Sequence, residues 1–198
     1  MKRLAEFLFE ARMLKQIPRS GFPFLGSGRE TVAEHVYMTA LIGWSLARTT
    51  PGVNAGRVVA LCLLHDLPEA RTGDLNSVHK HYVRAEEERA AADLARGLPF
   101  GPELEGLLAE FRTGKTPEAV LARDADQLSL LLDLKDLQDI GFAGPREWLP
   151  YVLGRLQTEA GKTLARAVLE TRRDAWWRPA ADAQEALRSR DGGSSAEG

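Results

Sequence analysis

The sequence predicts an all-α protein. Three observations carry that expectation. No stretch of the 198 residues alternates apolar and polar convincingly enough for a strand. Apolar residues recur instead at helical spacing, as in Leu4, Phe7, Leu8, Ala11 and Leu14. Helix-start chemistry also punctuates the chain, at Thr31–Glu34, at Asn54 and at Thr116-Pro117-Glu118.

A first helix carries the Leu4–Leu14 stripe. Residues 16–30, QIPRSGFPFLGSGRE, are rich in Gly and Pro and read as a loop, ordered or mobile. Thr31-Val-Ala-Glu34 has the S/T-x-x-E form of a capping box and starts a helix. Its buried face is Val32, Val36, Thr39, Ala40, Gly43, Leu46 and Ala47, and Pro51-Gly52 ends it. Asn54 caps the next helix, which is apolar nearly all round towards its end and is expected to be central. Pro68 disfavours helical geometry at Leu67, so His65-Asp66 falls in the last turn and Glu69 opens the next segment.

Residues 79–96 are helical in composition with a solvated charged face, and a short helix is expected over 103–112. Thr116 caps a long helix that carries Pro at its first position, an acid in its first turn and a stop at Gly141. Two helical segments come after Pro145 and end near Trp177, where Trp176-Trp177 is expected to pack onto the core or a partner subunit. Residues 1–178 thus form one domain. Residues 179–198 hold little to bury and are expected to be a disordered tail.

Composition excludes several function classes. Hydrophobic residues at 44% and charged residues at 27% describe an ordinary globular chain. A net charge of −2 with no basic tract argues against a nucleic-acid polymer or a membrane surface as partner. No segment is apolar for long enough to span a bilayer, and the N-terminus lacks the apolar region and cleavage site of a secretory signal. The single Cys62 cannot form an internal disulfide and reads as a small core residue, which fits a reducing compartment, the cytoplasm.

The chemistry concentrates in LLHDLPEARTGD, Leu63–Asp74. His65 and Asp66 stand at the end of the most apolar helix, His35 lies early in another, and Asp126 lies inside a third. Charged groups are rarely buried unless paired or metal-bound. Two imidazoles and two carboxylates would neutralise a divalent ion and leave positions for water and substrate, but the donor set does not choose among Mn, Fe, Co, Ni, Zn or Mg. His79 and His81 point apart on a helix and read as surface residues.

The order His35, His65-Asp66, Asp126 resembles the H…HD…D pattern of HD-domain metal-dependent phosphohydrolases. Four blocks resemble one branch, the 5'-deoxynucleotidase group that includes the bacterial YfbR type and eukaryotic HD-domain nucleotidases. They are IPRSGF at 17–22, RETVAEH at 29–35, HDLPEARTGD at 65–74 and ARDADQL at 122–128. The resemblance runs from about Leu14 to about Ile140 and implies an HD-domain helical bundle. It assigns His35, His65, Asp66 and Asp126 as ligands of a divalent metal, with Asp124 as the competitor to Asp126. It makes Glu69 and Asp74 catalytic carboxylates, with Asp74 near the sugar, and Arg19 the grip on the substrate phosphate. Ser20 stands where the YfbR type has an aromatic close to the sugar. Phe22 is the nearest aromatic here and is the expected substrate contact in its place, so the choice between deoxyribose and ribose stays open.

The implied reaction is hydrolysis of nucleoside 5'-monophosphates, deoxynucleotides favoured, by a homodimer. The alternatives are HD-type hydrolysis of nucleoside triphosphates or guanosine alarmones, and a metal-containing nucleotide binder without turnover.

Overall fold

The computed structural model describes residues 1–179. The chain is all-α, and among the described residues the only β pairing is an isolated antiparallel bridge between Pro18 and Thr31. The helices are α1 (Lys2–Ala11, extended by a 3-10 turn at Arg12–Lys15), α2 (Phe22–Leu25), α3 (Val32–Thr49), α4 (Ala55–Leu64), α5 (Glu69–Thr72), α6 (Ser77–Tyr82), α7 (Glu87–Ala95), α8 (Gly101–Thr113), α9 (Pro117–Asp139), α10 (Pro145–Arg155) and α11 (Glu159–Glu170).

Four helices, α3, α4, α9 and α11, begin where side chains satisfy free backbone N–H groups. At α3 the capping box is complete: the Thr31 N–H donates to Glu34 Oε2 at 2.7 Å and the Glu34 N–H to Thr31 Oγ1 at 3.2 Å. Asn54, Thr116 and Thr158 cap α4, α9 and α11 by a single bond, each side chain accepting the backbone N–H three residues on.

Helices α3, α4 and α9 pack on one another, and α10 and α11 lie against α9. Leu61, Leu121, Leu128, Leu131 and Leu134 are sealed between them at 0–1% exposure. Each such leucine contributes about 1.5–3 kcal/mol of burial free energy. A second apolar cluster joins α1, α7 and α8 to the start of α3 through Phe7, Leu14, Val32, Leu94 and Leu104.

Several expectations change. The Gly/Pro-rich segment 16–30 holds the one-turn helix α2, and its ends are closed by Arg19 N–H to Glu30 O at 2.8 Å and Val32 N–H to Ile17 O at 2.9 Å. Gly28 lies at φ +84°, and a Cβ there would stand 2.8 Å from the Phe22 ring. The helix expected over 79–96 is two, broken by extended backbone at Val83. Helix α6 buries no residue, so no packing carries it through 83–86. Leu63 on α4 is 52% exposed, so that helix is less enclosed than its composition suggests. The last expected segment stops at Glu170, and Trp176 and Trp177 are 84% and 47% exposed rather than packed into the core. From residue 180 onward the expected tail lies outside the described residues. No helix among the described residues is long and apolar enough to cross a membrane.

Candidate metal centre

Four side chains from three segments converge beside the joint of the two apolar clusters. His35 comes from the second turn of α3 and is fully buried. Its register is set by Val32 and Val36, which face the core on either side. His65 and Asp66 come directly after α4, the chain continuing in tight turns through Leu67 and Pro68 into α5. Asp126 projects from α9 between Ala125 and Leu128, both sealed in the main core.

His35 Nε2 lies 2.9 Å from Asp126 Oδ1 and 3.8 Å from Asp66 Oδ2. His65 Nε2 lies 3.2 Å from Asp66 Oδ2 and 3.9 Å from Asp126 Oδ1. Among the described residues, His35, His65 and Asp126 form a group that places one ligand atom each within 4.8 Å of one another, with Asp66 at its edge.

Second contacts aim these groups. His65 Nδ1 is 2.8 Å from the Cys62 carbonyl, which can only accept, so Nδ1 carries the proton. In the neutral ring Nε2 then presents its lone pair to the cluster. Gln127 Nε2 donates to Asp126 Oδ2 at 2.9 Å, leaving Oδ1 for the centre. Glu30 Oε2 lies 3.8 Å from His35 Nδ1 and 3.9 Å from Arg19 Nε, between the buried imidazole and the guanidinium.

The electrostatics are those of a cation site. Burial opposes the charge on His65, but Asp66 and then Asp126 outweigh it and raise its pKa to about 9. Asp66 and Asp126 are held below the usual carboxylate range: burial works against ionisation at both, and the two histidines and Arg19 overcome it. Glu69 is pushed up to about 9, by burial first and then by Asp66 and Asp74. Buried polar atoms with no hydrogen-bond partner gather here: His35 Nδ1, His65 Nε2, Asp66 Oδ2 and Glu69 Oε2. Such atoms are uncommon in native interiors. A divalent ion would satisfy His65 Nε2 and Asp66 Oδ2 together, and the N/O donor set suits one.

The same geometry separates Asp124 from Asp126. Asp124 is fully buried, but its carboxylate turns away, accepting from Gln157 N–H at 2.8 Å, Thr158 N–H at 2.8 Å and the Thr158 hydroxyl at 2.5 Å. It anchors the start of α11.

A cavity of about 740 Å³ opens from Asp66 and Asp126 past Arg19, Glu69 and Asp74 to α10. The Arg19 guanidinium reaches within 3.5 Å of Asp66 and 4.0 Å of Asp74. Asp74 also accepts the Ser20 N–H at 2.7 Å, and Asn76 Nδ2 donates to the Ser20 carbonyl at 3.3 Å. The segment after the His-Asp pair therefore holds the Arg19 loop. Gly73, at φ +72°, makes the turn that brings Asp74 back to it. Phe22 borders the cavity but is only 9% exposed and belongs to the main core. His79 and His81 are exposed and stand apart from the centre, while Lys80 between them reaches the cavity.

Glu30, Gln127 and Asn76 are the neighbours that sequence reasoning missed, as is Trp148, which lines the cavity from α10. Gln127 adjoins a flagged aspartate and Glu30 lies within the RETVAEH block. Trp148 had no local signal at all.

Comparison with known proteins agrees with this geometry. Residues 11–164 match the family described as HD domain. The chain is 29% identical over 145 residues to the 5'-deoxynucleotidase HDDC2 of Bos taurus, covering 70% of each chain. A crystal structure described as a predicted metal-dependent phosphohydrolase from Magnetospirillum magnetotacticum MS-1 superposes with a TM-score of 0.68 at 28% identity, over 85% of this chain and 93% of that one. The HD phosphohydrolase DatZ of cyanophage S-2L, solved with dA and one catalytic Zn²⁺ ion, shares the fold at a TM-score of 0.53 and 22% identity, over 82% of this chain and 96% of that one. The family match spans more than half of the sequence and takes in every residue of the converging cluster: the chain belongs to the HD-domain family.

Proposed function

We propose that the protein is a metal-dependent phosphomonoesterase that converts nucleoside 5'-monophosphates, deoxynucleotides preferentially, to nucleoside and phosphate. The observation that carries this reading is the placement of Arg19 within 3.5 Å of Asp66, beside the four converging donors and at the mouth of a cavity large enough for a nucleotide. A cation site and a guanidinium on one wall form a clamp for a phosphate dianion. The bovine relative, named a 5'-deoxynucleotidase and matched over 70% of its length, supports the substrate class.

In this reading His35, His65, Asp66 and Asp126 hold a divalent ion. When bound, such an ion supplies a Lewis acid for a phosphoryl oxygen and lowers the pKa of water near it. Arg19 takes two phosphate oxygens through its planar fork, and Asp74, fixed on the Ser20 N–H, holds the loop that presents it. Glu69 is the general acid. Without metal its carboxyl is pushed up to about 9, by burial first, and it has a buried oxygen with no other partner, which suits it to hold a proton. Water adds to phosphorus, the bond to the 5'-oxygen breaks, and that oxygen takes the Glu69 proton. The proton shed by the water restores Glu69.

The test is phosphate release from a panel of deoxy- and ribonucleoside 5'-monophosphates, using chelated protein with Mn, Co, Zn or Mg added back. Release restored by a metal is the expected result. Release of pyrophosphate or triphosphate from nucleoside triphosphates or alarmones, with monophosphates untouched, would overturn it. So would nucleotide binding without turnover under every metal.

A further inference from the structure

We propose that Trp148 on α10 is the surface on which the substrate's base stacks, so that it sets the preference for a nucleotide over a bare sugar phosphate. The proposal rests on the monophosphatase reading above and names the part of the cavity that reads the nucleoside.

The cavity of about 740 Å³ far exceeds the volume of a phosphate group, and its remainder runs towards α10. Four aromatic side chains border it: Phe22, Phe24, Trp148 and Tyr151. A base needs a flat apolar face that is reachable and held in place. Phe22 has its area committed to the main core at 9% exposure. Phe24 and Tyr151 are 57% and 74% exposed, with most of their area in solvent. Trp148 alone is intermediate, anchored against the core on one side and open to the cavity on the other.

Trp148 packs beside the loop that carries Arg19. The six-membered ring of the indole lies 3.6 Å from where a Cβ on Gly21 would stand. Gly21 is two residues from Arg19, a backbone reach of at most about 7 Å. Arg19 and the indole thus border the same cavity from either side of one short piece of chain. Ser20, in the middle of that piece, offers no aromatic surface of its own, and α10 supplies it from a distant part of the sequence.

The experiment compares a deoxynucleoside 5'-monophosphate with 2-deoxyribose 5-phosphate on metal-loaded protein. Wild type, Trp148→Phe and Trp148→Leu are assayed for kcat/KM and, by titration calorimetry, for binding. Trp148→Leu should lower the nucleotide-to-sugar-phosphate ratio by roughly 5- to 150-fold, the range of one base–aromatic stack. Trp148→Phe should keep most of the ratio. Thermal melts of the three proteins report any loss of packing separately. An unchanged ratio in Trp148→Leu, or an equal loss on both ligands, would overturn the proposal. A Phe22→Leu variant that moved the ratio as far as Trp148→Leu would overturn it too. Failure of wild type to release phosphate from either compound would sink the monophosphatase reading instead, and calorimetry would still report on Trp148.

Discussion

Replacing Asp124 by Ala should destabilise the protein and leave its metal binding intact. The carboxylate accepts three hydrogen bonds at 2.5–2.8 Å from the start of α11 and is fully buried. Hydrogen bonds to a charged group are worth about 1.5–3 kcal/mol each, and orphaned donors add to the cost. The three are not additive, and Gln157 is exposed, so water can replace one partner. We therefore expect a loss of about 3 kcal/mol, a large share of the roughly 5–15 kcal/mol typical of a domain. For a chain of this size that is a fall in Tm of roughly 6–12 °C. The assay is thermal denaturation of chelated protein by far-UV circular dichroism, paired with metal stoichiometry after reloading. Asp126→Ala is the counterpart and should lose metal. The assignment fails if Asp124→Ala melts within a degree or two of wild type, or if it loses the metal while Asp126→Ala keeps it.

The rest of the site is open to perturbation in the same way. Arg19→Lys keeps the charge but not the planar fork, so kcat/KM on a nucleoside monophosphate should fall by roughly 10- to 100-fold at saturating metal; wild-type kinetics in this variant would remove Arg19 from phosphate binding. A metal must displace the His65 proton, whose pKa is about 9. Apparent affinity in a chelator competition should therefore rise by about tenfold per pH unit as pH approaches that value from below, and a flat profile would contradict it. Without metal, Glu69, Glu30 and Asp133, raised by burial to about 9, 8 and 6, bind protons more tightly folded than unfolded. Their contributions are present at acid pH and are lost as pH rises through those values, and His65 adds to the same trend. Asp66 and Asp126, held low, act oppositely and weaken the fold only below the usual carboxylate range. The Tm of chelated protein should fall between about pH 5 and pH 9, and metal should restore it at the alkaline end; a Tm rising across that window would refute these shifts.

What the sequence revealed was mostly local chemistry. The capping box at Thr31 and Glu34 and the Thr-Pro-Glu start of α9 satisfy backbone groups within one turn, so their spelling alone located the helices that carry His35 and Asp126. The break after Tyr82 was hidden because 79–96 is helical in composition throughout, and only the absence of packing at α6 ends it. Asp124 and Asp126 are two positions apart, about 200° round the helix. Helix α9 buries residues on several sides, so apolar periodicity could not tell which aspartate faced the histidines. That took α11, whose free N–H groups claim Asp124. The Arg19 loop was legible as residues but not as a held structure, because Asp74 and Asn76 reach it across more than fifty positions. Trp148 lay beyond every recognised block.

The most direct test of the central claim, that these four side chains are one metal centre on which turnover depends, is Asp66→Ala assayed in parallel for bound metal, phosphate release from a deoxynucleoside monophosphate and helical circular dichroism. Asp66 Oδ2 lies within 3.8 Å of both imidazoles and 3.5 Å of Arg19, so its removal opens the cluster at its centre. We expect the helical signal to be retained, the metal to be lost, and essentially all activity to go with it. A folded Asp66→Ala protein that still released phosphate at the wild-type rate would contradict the account.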